Sequence, residues 1–182
     1  MFKKTGLILL ALTLAAGMVF VGCTGNSGPD SEWEITSGFK LSAHGSQAAS
    51  VIVNDSDRTV KMANGSVNSM AFGIIFPTEA NPDGYTWDMY SSFTVEIEIY
   101  DFNKGKVAFI IKSNGTSFDD ATMVDDGNKY PQIGSGNTKG DKATTDPISK
   151  EGITDRVVFQ HNHHDSTDID YTVKINKITF IP

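Results

Sequence analysis

The chain has 182 residues, with 22 acidic against 15 basic side chains and a formal net charge of −7. An acidic balance of that kind repels nucleic acid and anionic lipid, so neither is an expected partner. A single cysteine excludes an internal disulfide framework.

The chain opens with Lys3 and Lys4 ahead of an apolar run from Gly6 to Val21 that ends in small residues. This is the layout of a secretory signal, and the run is short of the ~20 residues a spanning helix needs. Phe20, Val21, Gly22 and Cys23 resemble the bacterial lipobox, whose cysteine is acylated and becomes the new N-terminus; Phe20 stands where leucine is usual. The resemblance implies a signal peptide over 1–22, lipidation of Cys23, and acyl chains of the palmitate type as the membrane anchor. Thr24, where aspartate would favour inner-membrane retention, points to the outer membrane, on its periplasmic or surface side. Residues 23–31, rich in Gly, Ser, Asn and Pro, form a lipidated tether. Cleavage takes Lys3 and Lys4 away, moves the net charge from −7 to −9 and leaves 160 residues. That is enough for one well-cored domain, over 32–182, expected to be monomeric.

Past the tether the apolar residues alternate with a period of two, and helical periodicity is nearly absent. EWEIT, GFKLS, SVIVN and TVKMA are short strand candidates between Gly, Ser, Asn and Asp clusters, and SMAFGIIFP is a longer one. In FTVEIEIY, Phe93, Val95, Ile97 and Ile99 point one way while Thr94, Glu96, Glu98 and Tyr100 point the other. A turn at DFNKG leads into KVAFIIKSNG, apolar on both faces as in a strand covered on both sides or central to a sandwich, and the two read as a hairpin. Between Asn114 and Arg156 lies a polar stretch with few apolar anchors, a length often functional when it occurs in a compact domain. Its alternative reading is a plain strand pair near Ala121–Val124 and Tyr130–Ile133. RVVFQHN and YTVKINKITFIP close the chain. About nine short antiparallel strands with turn signals between them predict an all-β sandwich, and the missing crossover helices exclude a parallel α/β fold.

Chemistry is sparse. There is no G-x-S-x-G elbow, no H-E-x-x-H, no P-loop, and no cysteine beyond Cys23. Glu96 and Glu98 lie on one strand face about 7 Å apart, but a glycosidase pair must flank the bond from opposite sides. No catalytic residue is assigned, and the chain is read as a non-enzyme. NDSD at Asn54–Asp57 and DDGN at Asp125–Asn128 offer the oxygens a structural calcium ion would take, outside any EF-hand register; no other cofactor is expected. In VVFQHNHHDSTDID, alternation puts Val157, Phe159, His161 and His163 on one face and Val158, Gln160 and Asn162 on the other. His161 and His163 with Asp165 or Asp168 could ligate zinc or copper. The plainer reading is a polar strand end outside the core, and no metal ligand is assigned.

SMAFGIIFPTEANPDGYTWDMYSSFTVEIEIY resembles the core of the jelly-roll carbohydrate-binding modules that accompany xylanases and related glycoside hydrolases. The likeness runs from Ala71–Pro77 through Tyr90, Ser91 and Ser92 into Phe93–Tyr100, and YTVKINKITFIP is similar to the last strand of those modules. There the apolar phase switches from Tyr171, Val173 and Ile175 to Ile178 and Phe180, as a bulge requires. The resemblance covers about residues 33–182 and implies recognition of a neutral polysaccharide, xylan or another β-glycan, by an envelope lipoprotein. Lys177 departs from the pattern. Aromatic faces stack on sugar C–H surfaces while amides and imidazoles bind hydroxyls. Trp33, Tyr85, Trp87, Tyr90 and Tyr130 are candidate platforms; Tyr90 matches a packing tyrosine of the family and Trp87 falls near its loop leucine, which implies a core place for both, while Tyr85 and Tyr130 lie in loop sequence. The expected site is Tyr85, Trp87, Tyr130, Gln160, Asn162 and His163. Two other readings stay open: an interaction or adhesion lipoprotein without glycan specificity, and a metal-binding envelope protein.

Overall fold

Alternating apolar residues leave a strand one dry face, and two such sheets bury their dry faces against each other. The structure, a computed structural model, describes residues 28–45, 47–63, 70–105, 107–112, 138–161 and 168–182. It is the expected antiparallel β-sandwich, with eleven strands among the described residues. They are β1 (Trp33–Ile35), β2 (Lys40–His44), β3 (Val51–Asn54), β4 (Thr59–Ala63), β5 (Ala71–Ile75), β6 (Ser92–Lys104), β7 (Phe109–Lys112), β8 (Lys142–Thr144), β9 (Ile148–Ser149), β10 (Arg156–His161) and β11 (Asp170–Ile181). One sheet runs β3-β4-β11-β6-β8, with β1 also on β11 and β9 also on β6; the other runs β2-β5-β10-β7.

Each of the nine strand candidates corresponds to a strand, and β8 and β9 are additional. Both lie C-terminal to the pair proposed at 121–124 and 130–133, which is outside the described residues. Two expectations for β6 and β7 are corrected. They are not a hairpin: β6 pairs with β11 on one edge and with β8 and β9 on the other, so no edge is left for β7. β6 also continues through the expected turn to Lys104. Gly105, at φ +97°, then turns the chain into the opposite sheet, where β7 pairs with β10. Nor is β7 central; among the described residues it ends the four-stranded sheet.

The long pairing of β11 with β6 is the spine of the larger sheet, with register shifts between Asp170 and Tyr171, Thr172 and Val173, and Ile175 and Lys177. The last is the bulge that the apolar phase switch required: Asn176 is passed over, and Ile178 and Phe180 return to the core. Aromatic rings concentrate at both ends of the interior. Phe76, Trp87, Tyr90, Phe93, Phe180 and Trp33 gather at one, with Phe76 and Trp87 centroids 4.7 Å apart and Trp33 stacked on Phe180 at 5.0 Å. At the other, Phe72 stacks on Phe159 at 5.2 Å and meets Phe109 edge-on at 5.4 Å. Each such fully buried ring contributes about 1.5–3 kcal/mol by leaving water.

At the N-terminal end of the described chain Pro29 is buried, and a side chain at Gly28 would touch the Met89 carbonyl oxygen at 3.6 Å. The end of the expected 23–31 tether therefore lies against the domain. Cys23 and the signal segment lie outside the described residues.

Candidate functional site

The alternation that sends Leu41, Phe72, Ile74, Val157, Phe159 and Phe109 into the core turns their neighbours to the outward face of the four-stranded sheet. Strand register sets these neighbours in rows. His44, Ala71, Gln160 and Ile110 make one, and Ser42, Gly73 and Val158 make the next. Lys40, Ile75 and Arg156 make a third. In the middle of the middle row is a glycine inside an apolar strand, which marks a close approach. A Cβ on Gly73 would sit 2.7 Å from His44 Nε2 and 2.7 Å from Ser42 Oγ, so the space is filled by those two side chains.

Ser42 Oγ and His44 Nε2 are 2.8 Å apart, and Ser42 Oγ donates to the Gly73 carbonyl at 3.5 Å. His44 is 7 % exposed, and Gln160 6 %. Burial, and next the Arg156 cation, hold the His44 imidazole below its usual pKa, against an opposing pull from Asp155. The ring is therefore neutral near pH 7, with one donor and one acceptor nitrogen. Nδ1 has no hydrogen bond among the described residues. Arg156 is gripped by its neighbour: Nε donates to Asp155 Oδ1 at 2.9 Å and Nη2 to Oδ2 at 2.7 Å. That contact keeps the Asp155 carboxyl below its ordinary range. This side of the sheet thus carries a neutral imidazole, a hydroxyl and an amide beside the fully buried Ala71 and Val158 and the partly exposed Ile75 and Ile110.

Of the residues expected to form one site, Tyr85, Trp87 and Gln160 are among the described residues, and Gln160 lies apart from the other two. Tyr85 is half-buried in the loop after β5, where Asn81 holds it. The Asn81 N–H donates to the Tyr85 carbonyl at 2.8 Å, its Oδ1 accepts the Tyr85 N–H at 2.8 Å, and its Nδ2 donates to the Tyr90 hydroxyl at 3.0 Å. Trp87 is a core residue rather than a sugar platform: it sits on a single 3-10 turn, 87–89, that directs its ring onto Phe76, and it is 8 % exposed. Tyr90 is buried, as its match to a packing tyrosine implies, and Trp33 is held against Phe180. Gln160 pairs with Ala71, at the other end of β5 from Phe76. Five residues of strand put about 17 Å between the two groups. Tyr130, Asn162 and His163 lie outside the described residues.

His161 shares the inward face with Val157 and Phe159, as alternation predicts, but that face is the core and not a strand end in solvent. It is fully buried, with Nδ1 2.7 Å from the Tyr171 hydroxyl of the opposite sheet. Among the described residues no three His, Cys, Asp or Glu side chains gather as a metal site. In the turn at Asn54–Asp57, Asn54 Nδ2 donates to Asp57 Oδ2 at 2.8 Å and Asp55 Oδ1 accepts the Leu41 N–H at 2.6 Å. Asp125–Asn128 lie outside the described residues. Glu96 and Glu98 share a face and a partner, since Asn176 Nδ2 lies 3.0 Å from Glu96 Oε1 and 2.9 Å from Glu98 Oε2.

Ser42, His44 and Gly73 are not among the residues expected from the sequence. Two signals were available: Ser42 and His44 alternate with Leu41 in GFKLSAHG, and Gly73 interrupts AFGIIF. Comparison of the chain with known protein families, with curated proteins and with solved structures finds no match. The likeness to carbohydrate-binding modules therefore rests on the motifs quoted above.

Proposed function

We propose that this protein is a lipid-anchored, non-catalytic envelope module that binds a neutral β-glycan on the outward face of its four-stranded sheet. The observation that carries the reading is the glycine notch, in which Gly73 yields its side-chain space to His44 and Ser42. A neutral imidazole and a hydroxyl recessed between aliphatic side chains suit sugar hydroxyls and sugar C–H faces respectively, and Gln160 extends the same row. The anchor is Cys23, acylated after removal of 1–22, with the outer membrane as its place.

Native affinity electrophoresis through soluble xylan and mixed-linkage β-glucan tests the binding. The chain is retarded by at least one of these, His44→Gln and Gly73→Val remove the retardation, and Tyr85→Ala leaves it. Free migration of the wild type through every neutral polysaccharide, together with specific capture of a protein, would transfer the reading to an interaction lipoprotein. Labelled palmitate entering the wild type and not Cys23→Ser tests the anchor separately.

A further inference from the structure

The opposite face of the sandwich carries an arrangement that neutral-glycan binding does not use. Tyr100 lies on the outward side of β6 and is 47 % exposed, an unusual place for an aromatic ring near the middle of a long strand. Alternation with Thr94, Glu96 and Glu98 places it there, and a bulge follows at once: Thr172 pairs with Asp101 and Val173 with Ile99, so β11 passes Tyr100 over. Bulges of this kind re-aim a side chain and recur beside binding sites.

Two cations are brought to the ring from separate elements. Lys174 comes from β11, its Nζ 5.6 Å from the ring centroid. Lys139 comes from the turn at 138–141, its Nζ 5.8 Å away. That turn is tightly specified. The Asp141 N–H donates to the Thr138 carbonyl at 3.0 Å, the Thr138 N–H donates to Asp141 Oδ2 at 2.9 Å, and Gly140 takes φ +92°. Its Gly140 N–H in turn donates to the Ile99 carbonyl at 2.7 Å, which ties the turn to β6 beside Tyr100. Both ammonium groups stand near the outer limit of cation–ring contact, about 6 Å, and the tyrosine stays 47 % exposed beneath them. Lys61, Lys104, Lys142 and Lys177 each have a carboxylate within 3.9 Å. Among the described residues Lys139 and Lys174 have none within that distance, as is also true of Lys40 and Lys150. What sets Lys139 and Lys174 apart is that both stand over one exposed phenol ring, while Glu98, opposite Lys174 across the strands, feels its charge from farther away.

We propose that Tyr100, Lys139 and Lys174 form a second carbohydrate site, specific for a hexuronate residue of an acidic glycan. The phenol ring takes the sugar's C–H face, and the two ammonium groups take its carboxylate. This site does not rest on the neutral-glycan reading and lies on the other sheet.

Isothermal titration of the full chain with galacturonate trisaccharide, against a neutral galactose trisaccharide, tests it. The acidic sugar binds, more weakly as salt rises, and the neutral one binds at least about tenfold less tightly. Tyr100→Ala and the pair Lys139→Gln with Lys174→Gln each lose about tenfold or more, and Tyr100→Phe retains binding. Unchanged thermal unfolding of these surface variants separates lost binding from lost fold. No heat with the acidic trisaccharide, wild-type affinity in Tyr100→Ala, or binding to phosphatidylglycerol vesicles in place of the sugar would overturn the proposal.

Discussion

His161 and Tyr171 meet across the interior, Nδ1 to hydroxyl at 2.7 Å, and the hydroxyl also reaches Met62 Sδ at 3.3 Å. A hydrogen bond between sheets in a dry core contributes modestly when made and is expensive to break, because the remaining partner stays buried. Tyr171→Phe keeps the ring and removes the oxygen, and it should cost about 1–3 kcal/mol in chemical denaturation. Burial also pushes the Tyr171 hydroxyl well above its ordinary pKa. The folded state therefore keeps this proton where the unfolded chain releases it, and stability falls as pH rises beyond about 10. Comparing wild type with Tyr171→Phe on the alkaline side isolates that term: the variant should lose less. His44 has the reverse sign. Its folded pKa is depressed, by burial first, so the unfolded chain binds the proton more readily. Its contribution is full above about pH 6.5 and is lost as pH falls from there. The difference between wild type and His44→Gln stability, followed from pH 8 to about 5, should shrink on the acid side.

Among the elements, the long alternating runs were legible because burial of one face imposes the period directly. FTVEIEIY and YTVKINKITFIP gave both the inward residues and the bulge at Asn176. β8 and β9, of three and two residues, are too short to show a period. The hairpin assigned to β6 and β7 failed for a different reason: local pattern says that a strand exists, whereas its partner depends on which edges other segments occupy. The candidate site was less readable still. Residue type makes Trp87 and Gln160 candidates, but type does not tell whether a ring faces the core or which end of a strand a side chain sits at. The Asn176 bulge also places one amide on two carboxylates. The Asn176 hydrogen bond is the first cause of the lowered Glu98 pKa, with lesser help from Lys142 and Lys174. Asn176→Ala should raise the Glu98 pKa toward the ordinary carboxylate range in a side-chain NMR titration, with a stability change under about 1 kcal/mol at so wet a surface. Gly73→Ala is the sharper change, since its Cβ meets two side chains at 2.7 Å, and overpacking should cost about 1–3 kcal/mol.

The whole molecule is a sandwich with different ends. Pro29, Trp87 and Phe180 lie toward one, where Ser91 Oγ also donates to the Pro182 carbonyl at 2.6 Å. His44, Ala71 and Gln160 lie toward the other. Under the proposed anchoring at Cys23, the glycan face is reached from the end far from the point where the described chain begins. Phe180 contacts Trp33, Phe76, Tyr90 and Phe93, so it ties strands and loops of both sheets. Phe180→Ala should lower stability by about 3–5 kcal/mol within a single cooperative transition. The account turns on one location, and amide chemical-shift mapping by two-dimensional NMR during titration with a neutral xylo-oligosaccharide tests it most directly. The largest shifts should cluster at Ser42, His44, Gly73 and Gln160. Shifts confined to the Tyr85 loop or to the seven-stranded sheet, or none at saturating sugar, would contradict it.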